Sequence, residues 1–583
     1  MAAQDKRSNP RGPHWLSPYL LAVVLSPAVF QSSGSLTCKS GDTTLSELSV
    51  LVGSEDQLSF EPLQRTYDLL LAPGTDDAVV RAIPNDLRAQ VWINLYSDSG
   101  DTSLLTGVVG GGEVTVALAP GLNTLRVYVK APGGASDRYD LRLYVEAGLA
   151  LAEWQPSEVL AEPTDTWGLV DAAGHLNGQA FVLWVEWMDP EWELVARRFS
   201  PDAGWDAPEP VHRDTTYPLE GEIAVGPGGE AVAVWRNDPS IWASIYTPGV
   251  GWSAAELIES EATRAFSPRA FVDAQGNVMV VWSSSDDRCW FNRYAPASGW
   301  RISAAAMNQA SACSNPILAG NNAGEVIAVW DAYDAGSLSI WSQRYDSLAG
   351  WAAPELLSGP ENDAYSPNAA MGPEGSAVVA WHQNETTADG EITSSVWGSR
   401  YAPASGWGAP QLVEHYDLDT VGDEDAPAVA VGPDGSAFVA WMQWEVSDLY
   451  SFFRRADVRA NHYRPGIGWG SAEIVAAGSG FNSFSEPPAV QGVQLIVDGF
   501  GNAVALWGHY SSVGQGFFKH RVWFSYYRPA VGWSEPQVVS EPGDLESDQQ
   551  FSPVLIPGAS GEAKAFWEES RGSATSLRTS RFE

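Results

Sequence analysis

The chain of 583 residues contains only five lysines and three cysteines. So few cysteines exclude a disulfide-built scaffold and a cysteine-rich metal site. Basic residues are scarce in general: 33 Lys and Arg stand against 72 Asp and Glu, a formal net charge of −39. A surface this acidic repels nucleic acid and anionic membranes, so neither is an expected partner. The acidity reads as a solvated surface. The run Asp417, Asp419, Asp423, Glu424 and Asp425 has no calcium-loop spacing. Catalytic signatures are missing too. There is no Gly-x-Ser-x-Gly elbow, no His-Glu-x-x-His and no phosphate-binding glycine loop. The eight histidines have no metal-ligand spacing, so neither a metal nor a cofactor is expected. A glycosidase built on two carboxylates stays open, because their separation is unreadable from sequence.

Abundant instead are glycine (56), proline (38) and tryptophan (27), a composition of short strands and tight turns. Lys6, Arg7 and Arg11 precede an apolar run from Trp15 to Phe30 and then the small residues Ser32-Ser33-Gly34-Ser35. That order predicts a signal peptide over residues 1–34 and an exported mature chain, periplasmic, outer-surface or secreted, after a linker at 35–43. Cys38 is a candidate lipid-acceptor, although the Leu before it is at the wrong offset. No later stretch is long and apolar enough to span a bilayer as a helix.

A repeat governs residues 149–583. Alternating apolar strands close on Trp184, Trp235, Trp282, Trp330, Trp381, Trp441, Trp507 and Trp567. Six residues before each stands a glycine, from Gly178 to Gly561, suited to the positive φ of a tight hairpin. Five repeats also carry a proline fourteen residues before the tryptophan (Pro268, Pro316, Pro367, Pro427, Pro553), read as opening a strand. After each such strand comes an aromatic, four turn residues and Gly-Trp, as in Tyr294-Ala-Pro-Ala-Ser-Gly-Trp300. Each unit reads as four antiparallel strands, the pattern of a propeller blade. The last unit lacks its Gly-Trp strand, and Trp154-Gln-Pro-Ser-Glu-Val-Leu160 at the front supplies it. The expectation is an all-β chain: a small β-sandwich, then an eight-bladed β-propeller, with seven blades as the alternative, closed by the N-terminal strand. Of the 27 tryptophans, 21 fall at repeating positions and are assigned to packing between blades.

Residues 44–148 lack this repeat. They open on Leu45-Ser-Glu-Leu-Ser-Val50, pass through Leu125-Arg-Val-Tyr-Val129 and end on Tyr139-Asp-Leu-Arg-Leu-Tyr-Val145. This order resembles the bacterial cadherin-like β-sandwich domain over about 100 residues. The resemblance implies a surface or secreted setting and a spacer or adhesion role. No Asp-x-Asp cluster is present to carry calcium ligation over.

The turns after the first and third strands of each unit are uniform; the loops after the second strands and between units vary, and both variable sets emerge on one face. Candidate ligand-binding residues sit there: Trp187 and Trp192, His382, Trp444, Arg454 and Arg455, His509 and Tyr510, His520 and Arg521. Aromatics would stack a sugar ring and arginines would grip an anion. The competing reading is that long loops pack on themselves and use arginine to balance nearby carboxylates. Cys289 and Cys313 fall at the same face, and an exported chain allows them to pair, although sequence cannot fix their geometry. Three functions fit: a binding or adhesion module for a glycan or surface protein, a polysaccharide-active glycosidase- or lyase-like enzyme, and an envelope-assembly scaffold. The Gly-Trp turns are shared with fucose-binding lectin propellers, but the sugar-binding Glu of that family has no repeated counterpart here.

Overall fold

The structure is a computed structural model. It describes residues 42–583 except 73, 97–101, 146–152, 165–166, 260–262, 302–303, 308–312, 335, 348, 360–361, 387–391, 415–425, 447–453, 478–489, 515–516, 540–547, 559–561 and 572–573. The expected signal peptide, Cys38 and the acidic run 417–425 lie outside the described residues. Every regular element among the described residues is a strand. No helix among them is long and apolar enough to cross a membrane.

Two sheets come first. One orders its strands Glu55–Asp56, Leu45–Val52, Asp77–Pro84 and Gly112–Ala117. The other runs Thr66–Leu71, Ser136–Val145, Gly121–Lys130, Gln90–Tyr96 and Thr102–Val109, and only its first pair is parallel. Alternation in both sends Leu48, Val50, Val80, Val91, Ile93, Leu125, Leu141 and Leu143 into one shared apolar core.

Eight further sheets follow among the described residues, each built from consecutive antiparallel strands. The second, for example, is Leu219–Val225, Ala231–Asn237, Ser240–Thr247 and Gly251–Trp252, with Glu256–Leu257 pairing back onto the third strand. The turn between its first two strands carries Gly229 at φ 85°, and the sixth sheet repeats this with Gly435 at φ 75°. Each first strand packs beside the first strand of the next sheet, and that of the eighth packs beside that of the first. The sheets therefore close on themselves. The eighth is completed from the front of the chain: Glu158–Thr164 pairs with Ala574–Phe582. Trp154 bridges to Phe582, its ring 5.4 Å from Phe582 and 5.5 Å from Phe524. The repeat tryptophans of the second strands are buried between neighbouring sheets, Trp235, Trp330, Trp381 and Trp567 completely, and the strands run on past them.

The prolines of the third, fourth and fifth sheets depart from expectation, whereas Pro427 stands directly before the strand Ala428–Val431. Pro268, Pro316 and Pro367 lie inside the first strands Ala265–Val272, Ser314–Gly320 and Ala364–Met371. Each follows a residue of positive φ (Ser267 48°, Asn315 46°, Ser366 50°) at a register shift. A bulge leaves one residue outside the ladder, so a proline there forfeits no hydrogen bond.

Candidate functional site

The first sheet carries a part-exposed aromatic cluster on the variable-loop side. Its second and third strands, Ala180–Met188 and Glu191–Ser200, pair in unbroken register from Ala180↔Phe199 to Met188↔Glu191. Period-two alternation puts Val185, Leu194 and Trp192 on the side facing the second sheet, where they join its core beside Trp235 and Trp242. Trp187 follows on the same side at the rim, directly opposite Trp192, with ring centroids 5.0 Å apart at 63°. Tyr217, on the segment entering the second sheet, meets Trp192 edge-on at 4.8 Å and 90°. Trp187 keeps 38% of its surface exposed, Tyr217 40% and Met188 51%. The inter-sheet core thus runs out to solvent as three rings in edge-to-face contact, an arrangement their quadrupoles favour.

Polar contacts hold this cluster in place. Arg213 Nε donates to Glu193 Oε1 at 2.6 Å. Asp214 accepts the Thr216 amide at 2.8 Å and Asn237 Nδ2 at 3.1 Å, which pins the segment bearing Tyr217 to the next hairpin. That amide, ahead of the other contacts, holds the Asp214 carboxyl below its ordinary range. The His212 ring lies 5.1 Å from that of Trp235 and 6.2 Å from that of Trp242, and burial lowers its pKa. Burial raises the Tyr217 phenol, with the negative charge of Glu568 adding to it. Glu568 in turn accepts the Leu169 amide at 2.6 Å. The arrangement offers stacking faces beside a carboxylate acceptor.

Of the other sequence candidates, those whose side chains are described are buried or half-buried. His382 was expected in a loop, but its strand runs on to Thr386 and the ring is buried, 5.8 Å from Tyr365. His509 is half-buried against Trp523 at 5.5 Å. His520 and Arg521 are buried within Phe517–Arg528, where Arg521 faces His509 across the strand pair. Burial first, then His509 and Arg521, push His520 down to about 4. The physical reason is common to all four: alternation continues past the tryptophan, so the hairpins are longer than their polar sequences suggested. Trp444, Arg454, Arg455 and Tyr510 are strand residues by backbone, with Glu445↔Arg455 and Tyr510↔His520 paired; their side chains lie outside the described set. Cys289 and Cys313, both buried, are joined in a disulfide with Cα atoms 5.5 Å apart.

A second set of polar residues was not anticipated. Asp171, Glu222 and Gln494 each stand thirteen residues before a strand-closing tryptophan, on first strands. Each reaches the next sheet's backbone: Asp171 accepts the Ile223 amide (3.0 Å), Glu222 the Ala270 amide (2.9 Å) and Gln494 the Leu555 amide (2.6 Å). Arg269 Nη1 lies 3.2 Å from Glu222. Burial raises both carboxyls, and Glu222 raises Asp171 further. Their common offset from the tryptophan was the available signal. Among the described residues, no group of three or more His, Cys, Asp or Glu is placed to hold a metal ion.

No protein-family model matches the chain. No curated protein matches it either. Among solved structures, an ulvan lyase from a new polysaccharide-lyase family, bound to a GlcA(1-4)Rha3S saccharide, is similar at 8% identity and TM-score 0.39, over 67% of this chain and 98% of the lyase. A fungal alcohol oxidase in complex with copper is similar at 12% identity and TM-score 0.36, over 74% of this chain and 99% of the oxidase. The Aleuria aurantia lectin in complex with Fucalpha1-6GlcNAc is similar at 12% identity and TM-score 0.30, over 56% of this chain and 99% of the lectin. The neighbours thus include a polysaccharide lyase and a lectin, but likeness at this level carries no argument about activity.

Proposed function

We propose that the chain is an exported glycan-binding module, with a cadherin-like β-sandwich as spacer and an eight-bladed β-propeller as recognition head. The blade reading is supported by eight consecutive sheets whose first strands pack in a closed circuit. The sandwich reading is supported by two sheets around one core. Export is supported by the N-terminal charge and hydropathy order and by the Cys289–Cys313 disulfide.

One observation carries the functional reading. Trp187, Trp192 and Tyr217 are held as a part-exposed aromatic cluster on the variable-loop face by a hairpin in full register. Pyranose rings present apolar C–H faces that stack on such surfaces, and their hydroxyls pair with carboxylates such as Glu568. A rigid, pre-placed cluster loses little freedom on binding. The raised carboxyls of Asp171 and Glu222 favour a hydrolytic reading by chemistry, since a general acid needs a raised pKa. Both nevertheless receive backbone amides of the adjoining sheet, which assigns them to holding the ring.

The test is a glycan array followed by titration of the best glycan. Wild type is expected to bind at least one glycan, and Trp187→Ala to weaken it by about tenfold or more, roughly 1.4 kcal/mol. The melting point should barely move, because Trp187 sits at the rim. No bound glycan, or equal affinity in the variant, would refute the reading.

A further inference from the structure

Both stretches of chain that carry the aromatic cluster of the first sheet are acidic. Residues 186–193 hold Glu186, Asp189, Glu191 and Glu193 and no basic residue. Residues 212–220 hold Asp214 and Glu220 against Arg213 and His212, and burial disfavours the charged form of His212. Strand pairing keeps these groups beside the rings. Glu186 lies directly opposite Glu193, Met188 opposite Glu191, and Trp192 opposite both Trp187 and Asp214. Asp189 stands at the hairpin tip, two positions from Trp187, a reach of at most about 7 Å of backbone. That is inside the Debye length of roughly 8 Å at physiological salt, so its charge is felt at the rings.

The basic groups of the first two sheets beside the cluster are already matched. Arg213 Nε donates to Glu193 at 2.6 Å. Arg236 donates to Glu220 at 2.8 Å and to Asp238 at 3.0 Å. Arg264 donates to both oxygens of Asp238, at 2.7 and 2.8 Å. Three arginines thus take up Glu193, Glu220 and Asp238. Glu186, Asp189, Glu191, Asp214 and Glu568 are left with no arginine or lysine in an ion pair among the described residues. Arg571, whose side chain is outside the described residues, follows Glu568 by three positions and would offset one of these five. The surplus acts on the cluster itself. Glu191 and Glu186 add to Glu193 in raising the Arg213 guanidinium, and Glu568 adds to burial in raising the Tyr217 phenol.

The rings favour the same kind of ligand. Trp187 and Tyr217 keep exposed surface, and the Trp187–Trp192 and Trp192–Tyr217 pairs meet at 63° and 90°. The cluster is therefore not one flat platform. One sugar ring stacks on Trp187, and the negative π faces attract a cation carried by that sugar. A uronate or a sulfate finds none of the three guanidiniums unpaired and is repelled by the surplus carboxylates.

Resting on the glycan-binding reading above, we propose that this cluster takes an amino sugar with a protonated, unacetylated amine. The pyranose stacks on Trp187, and the ammonium sits in the field of Asp189 and Glu191 at the hairpin tip.

The test uses the full chain at mildly acidic pH, where the sugar amine is protonated. Three tetrasaccharides are titrated by calorimetry: β-1,4-linked glucosamine, its N-acetylated counterpart, and galacturonate. The glucosamine tetramer should bind about tenfold or more tighter than the acetylated one, and galacturonate should give no measurable binding. Added salt should weaken the first and leave the second unchanged. Asp189→Asn with Glu191→Gln should cut the preference for the amine by about threefold or more, with the melting point unchanged. Trp187→Ala should remove that preference; one that survives there belongs to the acidic surface at large and overturns the proposal. Equal or tighter binding of the acetylated or galacturonate tetramer, lost in Trp187→Ala, also overturns it and leaves the glycan-binding reading standing. If none of the three binds while another glycan on the array does, the proposal falls alone; if no glycan binds, both fall.

Discussion

Tryptophan plays two parts here, and position decides which. Within second strands it is enclosed by the preceding sheet, so Trp235 and Trp330 have no exposed surface. At the rim the same residue type is left part-open, as with Trp187. The repeat made the first kind legible in sequence; Trp187 stood out because it broke the repeat. His382, His520 and Arg521, expected on an open face, are buried for a local reason. His382 and His520 are polar residues in long hairpins, and nothing in one sequence marks where a hairpin turns when its polar tip also alternates. Buried titratable groups yield a prediction at this scale. Burial pushes Glu414 up to about 7 and Asp331 up to about 6, and raises Asp171 and Glu222. A carboxyl raised in the fold stabilises fully below its unfolded pKa near 4, and that stability is lost as pH rises through the folded value. His462, lowered to about 3, and His520, lowered to about 4, act the other way once pH falls below about 6.5. Stability by urea unfolding should therefore rise as pH falls from 8 to 6.5. Glu414→Gln should flatten that slope, which relief of the overall negative charge alone would not do. A slope that is flat or reversed in wild type, or the same in the variant, would contradict these shifts.

Among elements, the strand that completes the eighth sheet has the largest consequence. Glu153 and Gln155 bond the backbone of Glu583 and Arg581, and Leu160 is buried with Phe566 and Leu577. Closure by this strand was legible because the last repeat lacks its Gly-Trp piece and the front of the chain supplies it. The bulges in the first strands were not legible: Pro268, Pro316 and Pro367 signalled a strand opening, and only the backbone places them after a residue of positive φ. Deleting residues 153–162 should expose two sheet edges and remove the Trp154 and Leu160 contacts, at a cost of about 3 kcal/mol or more. Chemical denaturation together with proteolysis of the last strands would measure it. Unchanged stability and unchanged cleavage would mean that the strand adds nothing to closure.

For the whole molecule, two faces of one ring are put to different uses. Uniform turns on one side seat the N-terminal sheets and enclose a cavity lined in part by Arg126, Arg138, Arg142 and Arg464; the other side leaves Trp187, Trp192 and Tyr217 open. The cavity was illegible in sequence because Arg126, Arg138 and Arg142 lie more than 300 residues from Arg464, and only docking brings them together. The aromatic cluster was half legible: Trp187 and Trp192 were marked as candidates, while Tyr217 joins them through the path of the connecting segment. The central claim is that the open face holds a glycan without cleaving it. The most direct measurement incubates wild type with the glycan it binds best on an array and follows both retention and product by chromatography. Retention of intact glycan, lost with Trp187→Ala, is the predicted result. Release of shortened chains by wild type, or a failure to retain any glycan, would contradict it.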